Sequence, residues 1–420
     1  MAASHRFANR RWLLLLGHPE FFKLWTGQAI SSLGSSITTI AMPLAAILVL
    51  HASPVQLGVL SALTFLPHLL FGLPAGVLVD RLPRRSILVI ADVGRALLLG
   101  SVPLLGVLGL LHMEHLYAVA FLAGVMTLLF DSTATTLVPL LVGRENLVRA
   151  NSAWLLNVSI AGIVGPSLAG GLVQLLTAPV TIAFDALSFL LSAGCSLLIG
   201  VASNTSAAVG RPIRLRSEIV EGLRVLFGSK ILSSIAVSAT VGALAGAMQA
   251  PLVILYLVRE LSLSPALVGL AVTATGVASV AGALLAPVYS QRIGLGRAYI
   301  SGQLLASLAG VALAAASGSM AVVAPFVILG QLLRGLGPPL FGVAQTTLRQ
   351  TIVPDHVLGR VNATWRFLVF GAQPLGALLG GGLGAVLGLR AALVLSSLGM
   401  LVGFLWAARS PLRSLRHLPT

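Results

Sequence analysis

Charge is scarce in this chain. Of 420 residues, 9% are Asp, Glu, Lys or Arg, and only 11 are acids. A soluble globular protein carries roughly 25% charged residues, so water is excluded as the main solvent. Cysteine is almost missing: Cys195 stands alone, and no internal disulfide can form. Aromatic residues make up 6%, a thin supply for a sugar site, which needs many stacking and hydrogen-bonding groups. No glycine-rich phosphate loop of the nucleotide-hydrolysing type occurs, which argues against ATP as energy source. The eight histidines have no metal-ligand spacing; His112 and His115 fall in a predicted loop. No nucleophile–base pair suggests an enzyme. Met1 to Lys23 has no cleavable signal pattern. We therefore expect no metal, no cofactor and no catalytic residues.

What is present is apolar. Hydrophobic residues reach 57%, and the mean hydropathy is +1.00. The apolar runs are continuous rather than alternating, and a membrane-crossing helix needs about 20 of them. About twelve spans are predicted by this length. The 45 glycines and 21 prolines suit close packing and kinks in a bilayer. The chain also repeats itself, at an offset of 211 residues and without a gap. Ala150-Asn151-Ser152-Ala153-Trp154 falls on Val361-Asn362-Ala363-Thr364-Trp365, Gly165 on Gly376, Gly170 on Gly381, Gly58 on Gly269, and Ser53-Pro54 on Ser264-Pro265. Two copies of one apolar bundle are the mark of a secondary transporter. The predicted architecture is an all-α membrane protein: an N-terminal segment 1–23, a six-helix bundle 24–202, a linker 203–230, a second six-helix bundle 231–408 and a tail 409–420. The linker is polar and basic, and its stretch Ser217 to Arg224 predicts a short amphipathic helix.

The net charge of +15 resembles a nucleic-acid signal until it is mapped. With the N-terminus inside, 21 of the 26 basic residues fall on the cytoplasmic side. Arg259 and Arg390 fall outside, while Arg95, Arg334 and Arg366 lie within spans. The positive-inside rule then places both termini in the cytoplasm. The expected partners are the bilayer and a small molecule, not nucleic acid, and nothing in the sequence demands more than a monomer.

Between the second and third spans stands Gly76-Val77-Leu78-Val79-Asp80-Arg81-Leu82-Pro83-Arg84-Arg85. It resembles the cytoplasmic loop signature of the major facilitator superfamily. The stretch Phe21 to Ser31 and the run Phe184-Asp185-Ala186-Leu187-Ser188-Phe189-Leu190 are similar to the branch holding macrolide and drug exporters, siderophore exporters and lysophospholipid transporters. Pro83 and Ser86 depart from the loop pattern, and Gln291-Arg292 replaces the Asp-Arg pair in the second half. The resemblance implies a conformational latch made of Gly76, Asp80, Arg81, Arg84 and Arg85. Asn362 is read as N-cap of the eleventh span and partner of Asp80. The plainer alternative is a turn with topology charges.

Charges inside spans are costly and mark sites. Asp92 and Arg95, at i and i+3, share a helix face, and Asp131 lies at similar depth. Proton coupling and a static ion-pair cluster both fit. Asp185 has no charged neighbour in sequence, and both a cavity site and an interhelical hydrogen bond fit. Arg334 lies at mid-span ahead of Gly335-Leu336-Gly337-Pro338-Pro339. An anionic substrate group or a carboxylate would satisfy it. Arg366 is expected to be structural, paired with Asp80 or Asp355. Gly162, Gly165, Pro166 and Gly170, with Gly376 and Gly381, predict a smooth rocking interface. The first of these runs resembles the Gly-Pro motif of proton-coupled antiporters. Candidate cavity liners are Gln28, Ser32, Thr39, Gln249 and Tyr256. The expected activity is proton-coupled efflux of a small amphiphile by alternating access, with the proton gradient as energy source. Lipid transport, uptake and a non-transporting sensor are the alternatives.

Overall fold

The computed structural model describes residues 18–200 and 215–415; the side chains at 73–77, 80, 81, 144, 215–219, 355, 356 and 414 lie outside the described set. The described residues form helices and no strand. The helices are α1 (Pro19–Leu48), α2 (Pro54–Arg81), α3 (Arg84–Val107), α4 (Met113–Val142), α5 (Leu147–Leu175), α6 (Ala178–Leu197), α7 (Leu215–Gly228), α8 (Lys230–Arg259), α9 (Pro265–Ile293), α10 (Leu295–Ala315), α11 (Met320–Ile352), α12 (Asp355–Leu387) and α13 (Leu389–Ala408). All but α7 contain a stretch long and apolar enough to cross a membrane, 12 in total.

The repeat shows in the helix bounds. Adding 211 to the bounds of α1 gives those of α8, and adding it to those of α6 gives those of α13. The local causes repeat as well. Ser53 accepts from Gln56 N at 3.2 Å while Gln56 Oε1 accepts from Ser53 N at 2.8 Å, a reciprocal cap at the start of α2. Its counterpart Ser264 caps α9 through Leu267 N. Gly143, Gly294 and Gly388 end or separate helices with φ of 74°, 91° and 85°, which side chains rarely adopt.

By internal contacts the chain divides into two compact units: Met1–Met42 with Leu70–Arg211, and Pro43–Leu69 with Pro212–Thr420. The end of α1 and the first part of α2, Pro43–Leu69, thus group with the second unit rather than with the predicted bundle 24–202. There Arg259 Nη2 donates to Ala52 O at 2.8 Å, and Arg390 pairs with Glu260 at 3.1 Å. The two arginines predicted to lie outside are therefore both used to tie helix ends together. The linker helix α7 rests on α12: Arg360 is ion-paired with Glu221, and Leu226 is fully buried.

Large apolar side chains such as Leu97, Leu104, Leu284 and Val386 remain exposed, as lipid-facing residues must. Inside, glycine lets backbones touch. In the second unit a Cβ on Gly302 would lie 2.9 Å from Gly337 O, and one on Gly337 would lie 2.7 Å from Gly302 O, where α10 crosses α11. Such contacts take the place of a hydrophobic driving force, which lipid does not supply. Gly337→Ala should therefore lower the thermal unfolding midpoint in detergent, by the equivalent of about 1–3 kcal/mol. Gly342→Ala on the same helix, whose Cβ would meet nothing within 4 Å, should leave it unchanged.

Candidate functional site

The polar centre of the first unit is built on α3. Asp92 is fully buried and Arg95 is 5% exposed. The i,i+3 spacing lets Arg95 Nη2 donate to Asp92 Oδ1. The guanidinium is clamped between two rings, 4.6 Å from the Phe130 centroid on α4 and 4.0 Å from that of Phe189 on α6. The cation is thus held by one carboxylate and two π faces rather than by water. Asp131 on α4 is within electrostatic reach of Arg95 but makes no direct ion pair and keeps its side chain exposed. The three-member network expected from sequence is therefore one tight pair and one open carboxylate.

Asp185 joins this centre. It is 1% exposed on α6 and also lies within reach of Arg95. Its Oδ1 accepts from Ser188 Oγ at 3.1 Å. The carboxylate sits in a notch of α1: a Cβ on Gly34 would lie 2.5 Å from Asp185 Oδ1 and 2.2 Å from Ser188 Oγ. Thr38 lies beside the same carboxylate without a well-formed hydrogen bond. Ser192 stands in the same way beside Asp92. Asp185, Ser188 and Ser192 follow i, i+3, i+7 spacing, one helix face; that stripe was the available signal for Ser188 and Ser192, which were not anticipated, and Gly34 had none.

The second unit holds a neutral copy. Position 92 maps to Gln303, which is 1% exposed. Gln303 Nε2 donates to Tyr299 Oη at 3.1 Å and to Ser238 Oγ at 3.3 Å, and Ser238 Oγ donates to Gly403 O at 2.9 Å. Ser238 and Gly403 are the repeat partners of Gly27 and Ser192. The same pocket thus carries an acid in one unit and an amide in the other.

Arg334 lies near the middle of the 33-residue helix α11 and is half-buried. No acid occurs between Glu260 and Asp355 or after Asp355, so α9 to α11 carry no counter-ion for it. One turn earlier, Gln331 is fully buried; its Oε1 accepts from Thr275 Oγ1 at 3.2 Å, and its Nε2 has no partner. A Cβ on Gly335 would lie 2.2 Å from Thr275 O, so α9 and α11 are locked together at this level. The result is a cluster of unspent side-chain donors.

Several expectations need correction. Gln249 and Tyr256 do not line an open cavity: they are 3% and 0% exposed, Tyr256 Oη donates to Ala316 O at 2.9 Å, and Gln249 contacts Met400 Sδ. Their polar atoms serve packing inside the unit. Gln28 and Ser32 are half-buried and bonded to each other at 3.2 Å, and Thr39 is exposed. Asn362 is no N-cap, because α12 starts at Asp355 behind Pro354. Arg366 consequently lies about three turns into the helix rather than one, and it is exposed. Gly165 packs within the first unit, its Cβ position 2.3 Å from Ser36 Cβ. Its repeat partner Gly376 meets Leu244 O at 2.1 Å within the second, and Gly381 meets Gly58 and Pro54. Gly165 and Gly376 thus seat helices inside one predicted bundle, whereas Gly381 meets α2, a helix of the other predicted bundle. Gly162 faces open space, while Pro166 and Gly170 are buried. Of the loop signature, Arg85 Nη2 donates to Leu197 O, and Arg84 leaves Nε and Nη1 unpartnered. The side chains of Gly76, Asp80 and Arg81, and of Asp355, lie outside the described set.

The clamp around Arg95 predicts a specific stability pattern. Arg95→Met leaves Asp92 buried and unpaired and should cost about 3–5 kcal/mol. Adding Asp92→Leu should recover most of that loss, measured by thermal unfolding in detergent.

Comparison with known proteins agrees with this architecture. The chain is 27% identical to the enterobactin exporter EntS of Salmonella typhimurium (strain LT2) over 94% of each chain. It is also 27% identical to the multidrug efflux pump Tap of Mycolicibacterium fortuitum, over 88% of this chain and 90% of that one. Among solved structures, the nucleoside transporter NupG superposes with a TM-score of 0.73 at 10% identity, covering 93% of this chain and 98% of that one. A bacterial homologue of the iron transporter ferroportin in its inward-facing state gives 0.68 at 20% identity, over 93% and 99%. These likenesses show the fold. The model of the transmembrane secretion effector family matches residues 14–418. The chain is therefore a member of the transmembrane secretion effector family, a multi-pass secondary transporter of the major facilitator fold and not an enzyme.

Proposed function

We propose that the protein exports a small amphiphilic compound, a drug or secondary metabolite, in exchange for protons by alternating access. The observation that carries this reading is the excess of acid around Arg95. Asp92 pairs with the Arg95 guanidinium, and Asp131 and Asp185 lie within its electrostatic reach, all on membrane-spanning helices. One cation neutralises one carboxylate, and a further carboxylate in such a setting is a place for a proton. Asp131 is the open member and Asp185 the enclosed one, a pair suited to pass a proton between an accessible and a sealed position. The names of the relatives, an exporter and an efflux pump, support the outward direction.

Arg334 refines the substrate. A mid-membrane guanidinium with no acid on α9, α10 or α11, beside the unspent amide of Gln331, favours an amphiphile that carries an acidic group. The reading is completed by an inner-membrane location with both termini cytoplasmic, a monomer with no cofactor beyond the proton gradient, and a loop from Gly76 to Arg85 that biases the two states.

The test is proton-gradient dissipation in inverted membrane vesicles on adding acidic, neutral and cationic amphiphiles. Acidic compounds should dissipate the gradient. Asp131→Asn should reduce the effect at least about tenfold, the loss typical of a positioned proton carrier. Arg334→Gln should remove the preference for acidic compounds. Undiminished dissipation in Asp131→Asn would make the acids structural. Substrate movement with no proton flux, from inserted protein, would favour lipid transport instead.

A further inference from the structure

A groove of about 570 Å³ opens in the second unit between the start of α8 and the end of α13. It is lined by Lys230, Ser233 and Ser234 on α8, by Val402, Leu405 and Trp406 on α13, and by Arg409, Ser410 and Pro411 beyond it. Lys230 and Arg409 are exposed, and neither makes an ion pair among the described residues. The mouth also holds the N-terminus of α8, whose first N–H groups have no helical acceptor. Ser229 occupies only the N–H of Leu232. Ser233 and Ser234 spend their hydroxyl protons on Lys230 O. Anion recognition therefore falls to two cations and a helix terminus.

The other wall is apolar and open: Val402 is 58% exposed, Leu405 39% and Trp406 53%. Trp406 stands one turn before Arg409, an indole near the predicted membrane surface with a cation just beyond it, the arrangement found at headgroup level. The groove is thus cationic at its mouth and greasy along its length. A soluble anion or an acidic peptide would use the first part and leave the apolar wall unused. A phospholipid uses both.

We propose that the groove binds one anionic phospholipid, its phosphate between Lys230, Arg409 and the N-terminus of α8, and an acyl chain along Val402, Leu405 and Trp406. This site is independent of the transport reading, since it lies at the helix ends and includes none of the intramembrane acids.

The test uses the purified full-length protein titrated in detergent with phosphatidylglycerol or phosphatidylcholine of identical chains, read by native mass spectrometry. Phosphatidylglycerol should bind at least about tenfold more tightly, as two charge-assisted contacts require. The double variant Lys230→Gln/Arg409→Gln should lose that preference. Arg292→Gln/Arg297→Gln, on the same predicted side but outside the groove, should keep it. Phosphatidylglycerol with brominated chains should quench tryptophan fluorescence in the wild type, and Trp406→Phe should remove most of the quenching. Equal binding of the two lipids, a preference that survives the groove variant, an equal loss in the control variant, or displacement of phosphatidylglycerol by inorganic phosphate would each overturn the proposal.

Discussion

A guanidinium that cannot reach water organises the first unit. Arg95 is held by Asp92 and by the faces of Phe130 and Phe189, and those contacts come from α3, α4 and α6. None of the three helices can rotate far without stripping the cation of a partner. The glycine at position 34 belongs to the same constraint, because it opens the space in α1 into which Asp185 and Ser188 fit. Packing and charge placement are therefore one problem here: the helices approach as closely as the polar groups require, and glycine marks where.

The two repeats share their backbone plan and differ in their charges. Position 92 is an acid, and its partner 303 an amide whose Nε2 donates to Tyr299 and Ser238 while its Oε1 is left without a partner. Positions 131 and 185 are acids, while their partners are Gly342 and Ser396. Conversely, Arg334 has Ala123 as its counterpart. A duplicated scaffold has kept the interlocking contacts, such as Gly165 on Ser36 and Gly376 beside Ala247, while the ionisable groups segregated. In the proposed mechanism, proton handling falls to one repeat and anion recognition to the other.

Much of this was legible in the sequence. The 211-residue offset, the apolar runs and the placement of the basic residues lead directly to twelve spans in two copies. Asp92 and Arg95 declared themselves by spacing. Helix ends were harder to read where a span continues past the hydrocarbon: α12 begins at Asp355, directly after Pro354, yet its first turns are polar and hydropathy does not register them. That is why Asn362 looked like a cap. Gln249 and Tyr256 looked like cavity liners because polarity alone does not say which way a side chain points on a helix buried on most sides. The inclusion of Asp185 depends on a notch made by a glycine 151 positions away, which no local pattern encodes.

The central claim is that the acid excess around Arg95 takes up and releases a proton. Infrared difference spectroscopy of the purified protein on a pH step tests it without a known substrate. The account predicts a protonated-carboxyl C=O band that appears and disappears reversibly with pH and is missing from the Asp131→Asn/Asp185→Asn variant. No such band in the wild type, or an unchanged band in the variant, would contradict it.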